Sequence, residues 1–219
     1  MSTLTTPPVA PLLTRLFADA AASDATLQAM RRSTPADQAG MHASSTDYRA
    51  FYGSLKHAHL AVSADTGRLL YLLARSMRAR RIVEFGTSFG ISTLHLAAAL
   101  RDNGGGRLIG SEFEPSKIDH ARENLRQAGL ADLVEIREGD ALETLKTDLP
   151  DDIDLVLLDG AKPLYLPVLR LLEPHLRQGS LILADNADWT PEYLASVRSS
   201  SLSYLSVPFA GDVELSMKL

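Results

Sequence analysis

In the stretch Arg81-Ile-Val-Glu-Phe-Gly-Thr-Ser-Phe-Gly90, a short apolar run passes directly into a loop that contains two glycines. Before this stretch, apolar residues recur at helical spacing, as in the segment for which Ser63 is a candidate N-cap. After it, short apolar runs alternate with helix-length segments, and each run ends in a turn or an acidic residue. This alternation predicts an α/β fold, a mostly parallel Rossmann-like sheet with helices on both faces.

The apolar runs and turn residues also predict where the individual elements lie. Proline suits the first position of a helix and glycine suits the position after its end, so a helix is predicted over Pro115–Ala128, before Gly129. The chain should close with an antiparallel hairpin around Ala210-Gly-Asp212. The predicted strands are Arg81–Phe85, Arg107–Ser111, Val134–Glu138, Ile153–Leu158 and Ser180–Ala184, followed by Ser203–Phe209 and Val213–Lys218 in the hairpin.

The front quarter of the chain predicts helices rather than strands. Helical patterns cover Leu12–Ala22, Ala25–Arg32 and Asp47–Leu55, with a loop over Ser33–Thr46. A chain of 219 residues favours one compact domain over two. We therefore expect an N-terminal helical extension or cap over residues 1–60, and one compact domain over residues 61–219.

Composition excludes several classes of protein. With 45% hydrophobic and 22% charged residues the chain resembles an ordinary folded protein. It has no cysteine, which excludes disulfide scaffolds, thiolate metal sites and cysteine nucleophiles. A net charge of −5 argues against nucleic acid as a partner and favours a small molecule. Neither a signal-peptide pattern nor a membrane-spanning apolar run is present, so we expect a cytoplasmic protein.

Acidic residues collect at the carboxyl ends of the predicted strands. In open α/β sheets, ligands bind beyond these ends, near the point where strand order reverses. Each acid also has an ordinary structural explanation: Asp140 has the capping-box spacing to Glu143, and the others suit turns or solvated positions. Their joint occurrence beside a glycine loop favours a binding site. The residues at this edge are Glu84, Glu112, Asp140, Asp159, Asp185 and Asn186.

The glycine loop does not match the dinucleotide fingerprint. That fingerprint, laid on Gly86, would need glycines where Ser88 and Ile91 stand. The second glycine allows the backbone to approach a pyrophosphate, so its absence indicates a ligand without one. A carboxylate at Glu112 suits a ribose diol. S-adenosylmethionine fits these features better than NAD.

Four motifs together resemble the cation-dependent class I O-methyltransferases, of the catechol and caffeoyl-CoA type. They are Val83-Glu-Phe-Gly-Thr-Ser-Phe-Gly-Ile-Ser92, Ile109-Gly-Ser-Glu-Phe-Glu-Pro115, Asp159-Gly-Ala-Lys-Pro-Leu-Tyr165 and Asp185-Asn-Ala-Asp-Trp189. The resemblance runs from about Leu60 to the C-terminus, and the last two motifs are its most specific part. Ala64 stands where the family usually has proline. The stretch after Asn186 is shorter than is usual in the family, so we expect an acceptor pocket that is open or is closed by N-terminal helices.

The resemblance implies a role for each matched residue. Lys162 would be the catalytic base. Asp159, Asp185 and Asn186 would bind the metal. We predict that Trp189 lines the substrate pocket, the alternative being a packing role in the core. The implied S-adenosylmethionine-binding residues are Val62, Glu84, Gly86, Ser92, Glu112, Asp140, Ala141 and Asp159.

The chemistry of methyl transfer explains why such residues are needed. A neutral phenol is a poor nucleophile because its pKa is near 10, so a proton must be removed. Two carboxylates and an amide oxygen suit Mg²⁺, which would act as a Lewis acid and hold two adjacent hydroxyls. We therefore predict a magnesium-dependent O-methyltransferase acting on one hydroxyl of a small catechol-like acceptor, and we expect a homodimer.

Several alternatives stay open on the sequence. The same residues would serve a C-methyltransferase or an enzyme acting on a hydroxylated nucleoside. A nicotinamide dehydrogenase is opposed by Ser88 and Ile91, and a non-catalytic cofactor-binding module is opposed by the retained Asp159 and Lys162.

Overall fold

The computed structural model describes residues 2–31, 48–199 and 203–219, and its centre is a seven-stranded sheet. The predicted loop over residues 33–46 lies outside the described residues. The strand order is β3-β2-β1-β4-β5-β7-β6. The strands are β1 (Arg81–Phe85), β2 (Arg107–Glu112), β3 (Val134–Glu138), β4 (Ile153–Leu158), β5 (Leu176–Ala184), β6 (Tyr204–Phe209) and β7 (Val213–Lys218).

Strand order reverses between β1 and β4. Val83 of β1 pairs in parallel register with Ile109 of β2 on one side and with Val156 of β4 on the other. The strands β1 to β5 are parallel, whereas β7 runs antiparallel to both β5 and β6. The predicted fold class, a mostly parallel sheet with a C-terminal antiparallel hairpin, is confirmed. The reversal places a crevice beyond the ends of β1 and β4.

Helices cover both faces of the sheet. Residues alternate between the two faces along β1, so that Ile82 joins the apolar cluster under α1, α3 and α4, whereas Val83 joins the cluster under α6, α7 and α8. The helices are α1 (Val9–Arg31), α2 (Tyr48–Ser54), α3 (Ala64–Ser76), α4 (Ile91–Asp102), α5 (Pro115–Gln127), α6 (Ala141–Thr144), α7 (Tyr165–Leu172) and α8 (Pro191–Val197).

The clearest differences from the predicted elements are in α1 and β5. The two helices predicted over Leu12–Ala22 and Ala25–Arg32 form one continuous helix, α1, because Ser23 and Asp24 favour helix starts but do not break a helix between alanine-rich segments. Strand β5 begins at Leu176 rather than Ser180. Gly179, which resembles a turn in the sequence, has a φ of 84° within the strand, and the pairing with β4 is irregular there.

The N-terminal helices pack on the region that carries the sheet. The Ser63 side chain accepts a hydrogen bond from the Thr66 amide, as the predicted N-cap requires. Helix α1 packs against α4, and its Ser23 hydroxyl accepts a hydrogen bond from the His59 amide. The division of the chain near residue 60 stays a prediction. Within the three described ranges, no helix is both long and apolar enough to cross a membrane.

Candidate active site

A pocket lies at the reversal of strand order, where the sheet topology predicts a site. It contains about 600 Å³ of space beyond the ends of β1, β2 and β4. We call it the switch-point pocket. Of the residues predicted to bind cofactor, Gly86, Glu112, Asp140, Ala141 and Asp159 line this pocket. A narrower adjoining pocket of about 220 Å³ is lined by Val62 and Ser92, and also by Gly86 and Asp159.

The glycine loop connects the ends of β1 and β4. Gly86 has a φ of 98°, and a Cβ at this position would lie only 2.4 Å from the carbonyl oxygen of Asp159. The Asp159 amide in turn donates to the carbonyl of Phe85, at an N–O distance of 2.8 Å. Glycine is therefore needed at residue 86 for the two strand ends to approach each other. This contact sets the position of Asp159.

Glu84 lies behind the loop and is not among the residues that line either pocket. Its carboxylate accepts hydrogen bonds from the hydroxyls of Thr87, Ser92 and Thr93, at oxygen–oxygen distances of 3.2, 2.7 and 2.6 Å. Complete burial raises the pKa of Glu84 to about 7, although the three hydroxyls lower it. The geometry supports a role for Glu84 in holding the loop and the start of α4.

Glu112 lines the pocket with a carboxylate that is already held by its own loop. One oxygen accepts from the amides of Phe113 and Glu114 at 2.9 and 3.0 Å, and the other accepts from the amide of Ser88 at 2.8 Å. Each carboxylate oxygen has two lone pairs, so the group can still accept hydrogen bonds from a ligand. The structure therefore presents a preoriented acceptor towards the pocket.

Asp140 serves as the predicted helix cap at the far end of the pocket. Its side chain accepts from the Leu142 amide at 2.9 Å and forms an ion pair with the exposed Arg49 of α2. These interactions lower the pKa of Asp140 against the opposing effect of burial. Asp140 and Ala141 both face the pocket, as an adenine-binding role would require.

Helix α2 contributes pocket residues that the sequence did not predict. Tyr48 and Tyr52 line the switch-point pocket, and the Tyr48 ring meets the Phe113 ring edge-on at a centroid distance of 6.4 Å. The pattern Asp47–Leu55 predicted a helix, but no motif in the sequence linked it to the strand ends. Only the tertiary packing of α2 reveals this contribution.

Beside the pocket, at the ends of β4 and β5, lies a group that we call the rim triplet, Asp159, Lys162 and Asp185, of which Asp159 lines the pocket. The Lys162 Nζ lies 3.4 Å from an Asp159 carboxylate oxygen, 3.1 Å from the Asp185 carbonyl oxygen and 2.7 Å from the Tyr165 hydroxyl. The Tyr165 hydroxyl donates to the same Asp185 carbonyl at 2.7 Å. Lys162 and Asp185 are buried, and the Asp159 side chain is only 9% exposed. Lys162 is therefore held rigidly between the ends of β4 and β5.

The two acids of the rim triplet differ from Glu84 in their hydrogen bonding. Burial raises the pKa of both Asp159 and Asp185, and the Lys162 ammonium opposes this rise. The charge of Glu84 adds to the rise at Asp159, and the charge of Asp159 adds to the rise at Asp185. Asp185 is only 7% exposed, yet none of the described residues donates a hydrogen bond to its carboxylate. Such a group gains most from a bound cation or another ligand.

The donor set at this rim fits a hard divalent cation. Asn186 follows Asp185 with a φ of 50°, a left-handed conformation that asparagine tolerates. Its side-chain amide nitrogen lies 3.5 Å from an Asp212 carboxylate oxygen, so the amide oxygen is left available. The described parts of the chain hold no cluster of three acidic, histidine or cysteine side chains suited to a metal. A site here would therefore combine two carboxylates with the Asn186 amide oxygen.

Trp189 lies at the surface rather than in the core. It stands on a short 3₁₀ turn after Asn186 and is 40% exposed, which contradicts the alternative that it packs in the core. It lines neither of the two pockets described above. A substrate-lining role for Trp189 stays a prediction.

Comparisons with known proteins agree with this geometry. Residues 83–187 match the family model described as a methyltransferase domain. The chain is 39% identical over 127 residues to a catechol O-methyltransferase of Mycobacterium tuberculosis, covering 58% of this chain and 57% of that protein. It is 32% identical over 141 residues to a caffeoyl-CoA O-methyltransferase of Pinus taeda, covering 62% and 54% of the two chains. The matches thus span less than two thirds of these relatives.

One solved structure is matched over a larger share of its own length than these two relatives are. The O-methyltransferase TomG from Streptomyces achromogenes, involved in tomaymycin synthesis and solved in complex with S-adenosylmethionine, is 31% identical. The match covers 73% of this chain and 82% of TomG, with a TM-score of 0.64. Sequence motifs, sheet topology and these relatives agree, and the chain belongs to the O-methyltransferase family that includes the catechol and caffeoyl-CoA enzymes.

Proposed function

We propose that this protein transfers a methyl group from S-adenosylmethionine to one hydroxyl of a small catechol-like acceptor, and that it needs a divalent cation to do so. One observation carries the proposal: a buried lysine contacts one carboxylate and the backbone carbonyl of a second acid at the ends of β4 and β5, beside the switch-point pocket. Lys162 contacts Asp159 and the backbone of Asp185, while the Asp185 carboxylate has no donor among the described residues.

The cofactor would lie across the ends of β1, β2 and β4. Glu112 would accept hydrogen bonds from the ribose hydroxyls, and Asp140 with Ala141 would contact the adenine. The methionine part would extend towards Gly86 and the narrower pocket, lined by Val62, Ser92 and Asp159. Glu84 would act indirectly, because its carboxylate holds the hydroxyls of Thr87, Ser92 and Thr93 from behind the loop.

The metal would be held by Asp159, Asp185 and Asn186. A bound Mg²⁺ would supply Lewis acidity, which lowers the pKa of an acceptor hydroxyl. Lys162 Nζ would accept the hydroxyl proton, since it is the basic group that lies beside the Asp159 carboxylate and the Asp185 backbone. The phenolate oxygen would then form a bond to the methyl carbon as the carbon–sulfur bond breaks. The products are a methyl ether and S-adenosylhomocysteine.

An acceptor comparison tests the proposal directly. A catechol, its monomethyl ether and the matching monophenol are incubated with labelled S-adenosylmethionine and Mg²⁺, and methyl transfer to each is measured. We expect one methylation of the catechol and little turnover of the other two, since each has lost one of the two chelating hydroxyls. Equal turnover of all three would contradict a catechol preference.

Metal removal provides the second arm of the test. Exhaustive chelation should abolish turnover of the catechol, and added Mg²⁺ should restore it. Full activity in a chelated sample with no detectable metal would overturn the metal dependence. Methyl transfer to a ring carbon or to a nucleoside hydroxyl, identified in the product, would favour the alternative acceptors.

A further inference from the structure

Lys117 is a second buried lysine, and it lines the switch-point pocket. It is the third residue of α5 and is only 5% exposed. Its Nζ lies 5.7 Å from the centroid of the Phe89 ring, which covers it from the side of the glycine loop. The ammonium therefore reaches from the start of α5 into the space between the ends of β1 and β2.

The Lys117 ammonium forms neither a hydrogen bond nor an ion pair with any of the described residues. The nearby carboxylates of Glu112 and Glu114 are engaged in their own loop, because Glu112 accepts from three backbone amides and Glu114 caps α5 through Ser116. Burial lowers the pKa of Lys117, although the charges of Glu112, Glu114 and Asp159 oppose that change. A ligand in the pocket that supplies an acceptor to this largely buried ammonium would therefore be favoured.

Lys162 shows what a satisfied buried lysine looks like in the same protein. Its ammonium contacts a carboxylate, a carbonyl and a hydroxyl oxygen at 2.7 to 3.4 Å. Lys117 is also buried and, unlike Lys162, lines the switch-point pocket, but it has none of these acceptors. The missing acceptor at Lys117 thus has to come from the pocket's contents.

We propose that Lys117 binds the cofactor by donating a hydrogen bond to a ribose hydroxyl oxygen, opposite Glu112. The inference rests on the proposed function, because it takes S-adenosylmethionine as the ligand. A hydroxyl can donate its proton to the Glu112 carboxylate and accept a hydrogen bond from an ammonium at the same time. Lys117 and Glu112 would together recognise the ribose diol, one as donor and the other as acceptor.

The test measures S-adenosylhomocysteine binding by calorimetry to the wild type, Lys117→Met and the control Lys146→Met. Lys146 is an exposed lysine outside the pocket. We expect Lys117→Met to weaken binding about 10- to 100-fold, the range for a lost charged hydrogen bond, and Lys146→Met to leave it unchanged. Lys117→Gln, which keeps a neutral donor, should bind more tightly than Lys117→Met.

Deoxy cofactors separate a ribose contact from a general effect on the pocket. The same titrations are made with the 2′-deoxy and 3′-deoxy forms of S-adenosylhomocysteine. For the form that lacks the contacted hydroxyl, Lys117→Met and the wild type should bind with nearly equal affinity. An equal loss with all three ligands, or unchanged binding of S-adenosylhomocysteine by Lys117→Met, would overturn the inference and leave the proposed function intact. A wild type that does not bind S-adenosylhomocysteine would overturn both.

Discussion

The region behind the glycine loop, which we call the floor, and the rim triplet, or rim, both contain carboxylates with little exposure to solvent. The carboxylates of the two regions differ in their hydrogen-bond partners. Glu84 on the floor accepts hydrogen bonds from three hydroxyls of its own loop and helix. On the rim, Asp185 has no donor among the described residues, and Asp159 has one lysine contact at 3.4 Å. Burial raises the pKa of all three acids.

The difference separates a structural carboxylate from one suited to chemistry. A buried acid whose hydrogen bonds are complete stabilises the surrounding loop and offers little to a ligand. A buried acid without donors raises the energy of the free protein and favours any cation that binds beside it. By this criterion we expect the floor to position the glycine loop, and we expect the rim to bind a cation and to hold the reacting groups of the proposed function.

The largest expected effect is on turnover at the rim. Lys162→Met should lower the rate of methyl transfer by about 10²- to 10⁴-fold, the usual contribution of a positioned general base. S-adenosylhomocysteine affinity should change little, because Lys162 contacts the rim and not the ribose end of the pocket. Turnover kinetics and calorimetry measure the two quantities, with Lys146→Met as the matched control. A Lys162→Met enzyme with wild-type turnover would place the base elsewhere.

The next effect concerns the floor, and it appears in the pH dependence of stability. Because the pKa of Glu84 is about 7 in the folded protein against 4.5 as its ordinary value, the folded state keeps a proton that the unfolded chain releases. This contribution to stability is complete below pH 4.5 and is lost as the pH rises through 7. At 1.36 kcal/mol per pKa unit, the loss is about 3 kcal/mol.

Glu84→Gln removes this titration. The free energy of unfolding is measured in urea between pH 4.5 and 7.5. As the pH rises, it should fall more for the wild type than for Glu84→Gln. Glu192→Gln, at an exposed position on α8, should follow the wild type. Parallel stability curves for the wild type and Glu84→Gln would show that Glu84 is ionised throughout this range.

Local sequence patterns predicted most of the sheet and the acids at its edge. Short apolar runs mark buried parallel strands clearly, which is why β1 and β4 begin and end where predicted. The partly exposed β3 and the antiparallel β7 also have their predicted bounds. The carboxyl ends of parallel strands meet at one edge, so the positions of Glu112, Asp140 and Asp159 followed from topology.

The parts that were not predicted depend on contacts between distant segments. Tyr48 and Tyr52 reach the pocket only because α2 packs over the strand ends. Lys117 resembles an exposed lysine in the first turn of a helix, and its burial depends on the ring of Phe89 in another loop. The hydrogen-bond partners of Glu84 were not predicted either. Thr87, Ser92 and Thr93 follow Glu84 in the sequence, but their hydroxyls reach its carboxylate only because the loop turns back towards it.

The smallest expected effect distinguishes the rim from the floor by stability alone. In chelator, Asp185→Asn should raise the free energy of unfolding by about 1–2 kcal/mol, because it replaces a buried carboxylate without donors by a neutral group of the same shape. Added Mg²⁺ should then stabilise the wild type but not Asp185→Asn, since a ligand stabilises the state that binds it.

Asp188→Asn, at an exposed position three residues further on, should respond to Mg²⁺ as the wild type does. Chemical unfolding of the three proteins with and without Mg²⁺ measures these differences. If Asp185→Asn were less stable than the wild type in chelator and gained as much from Mg²⁺, the Asp185 carboxylate would be a structural group like Glu84, and the distinction between rim and floor would fail.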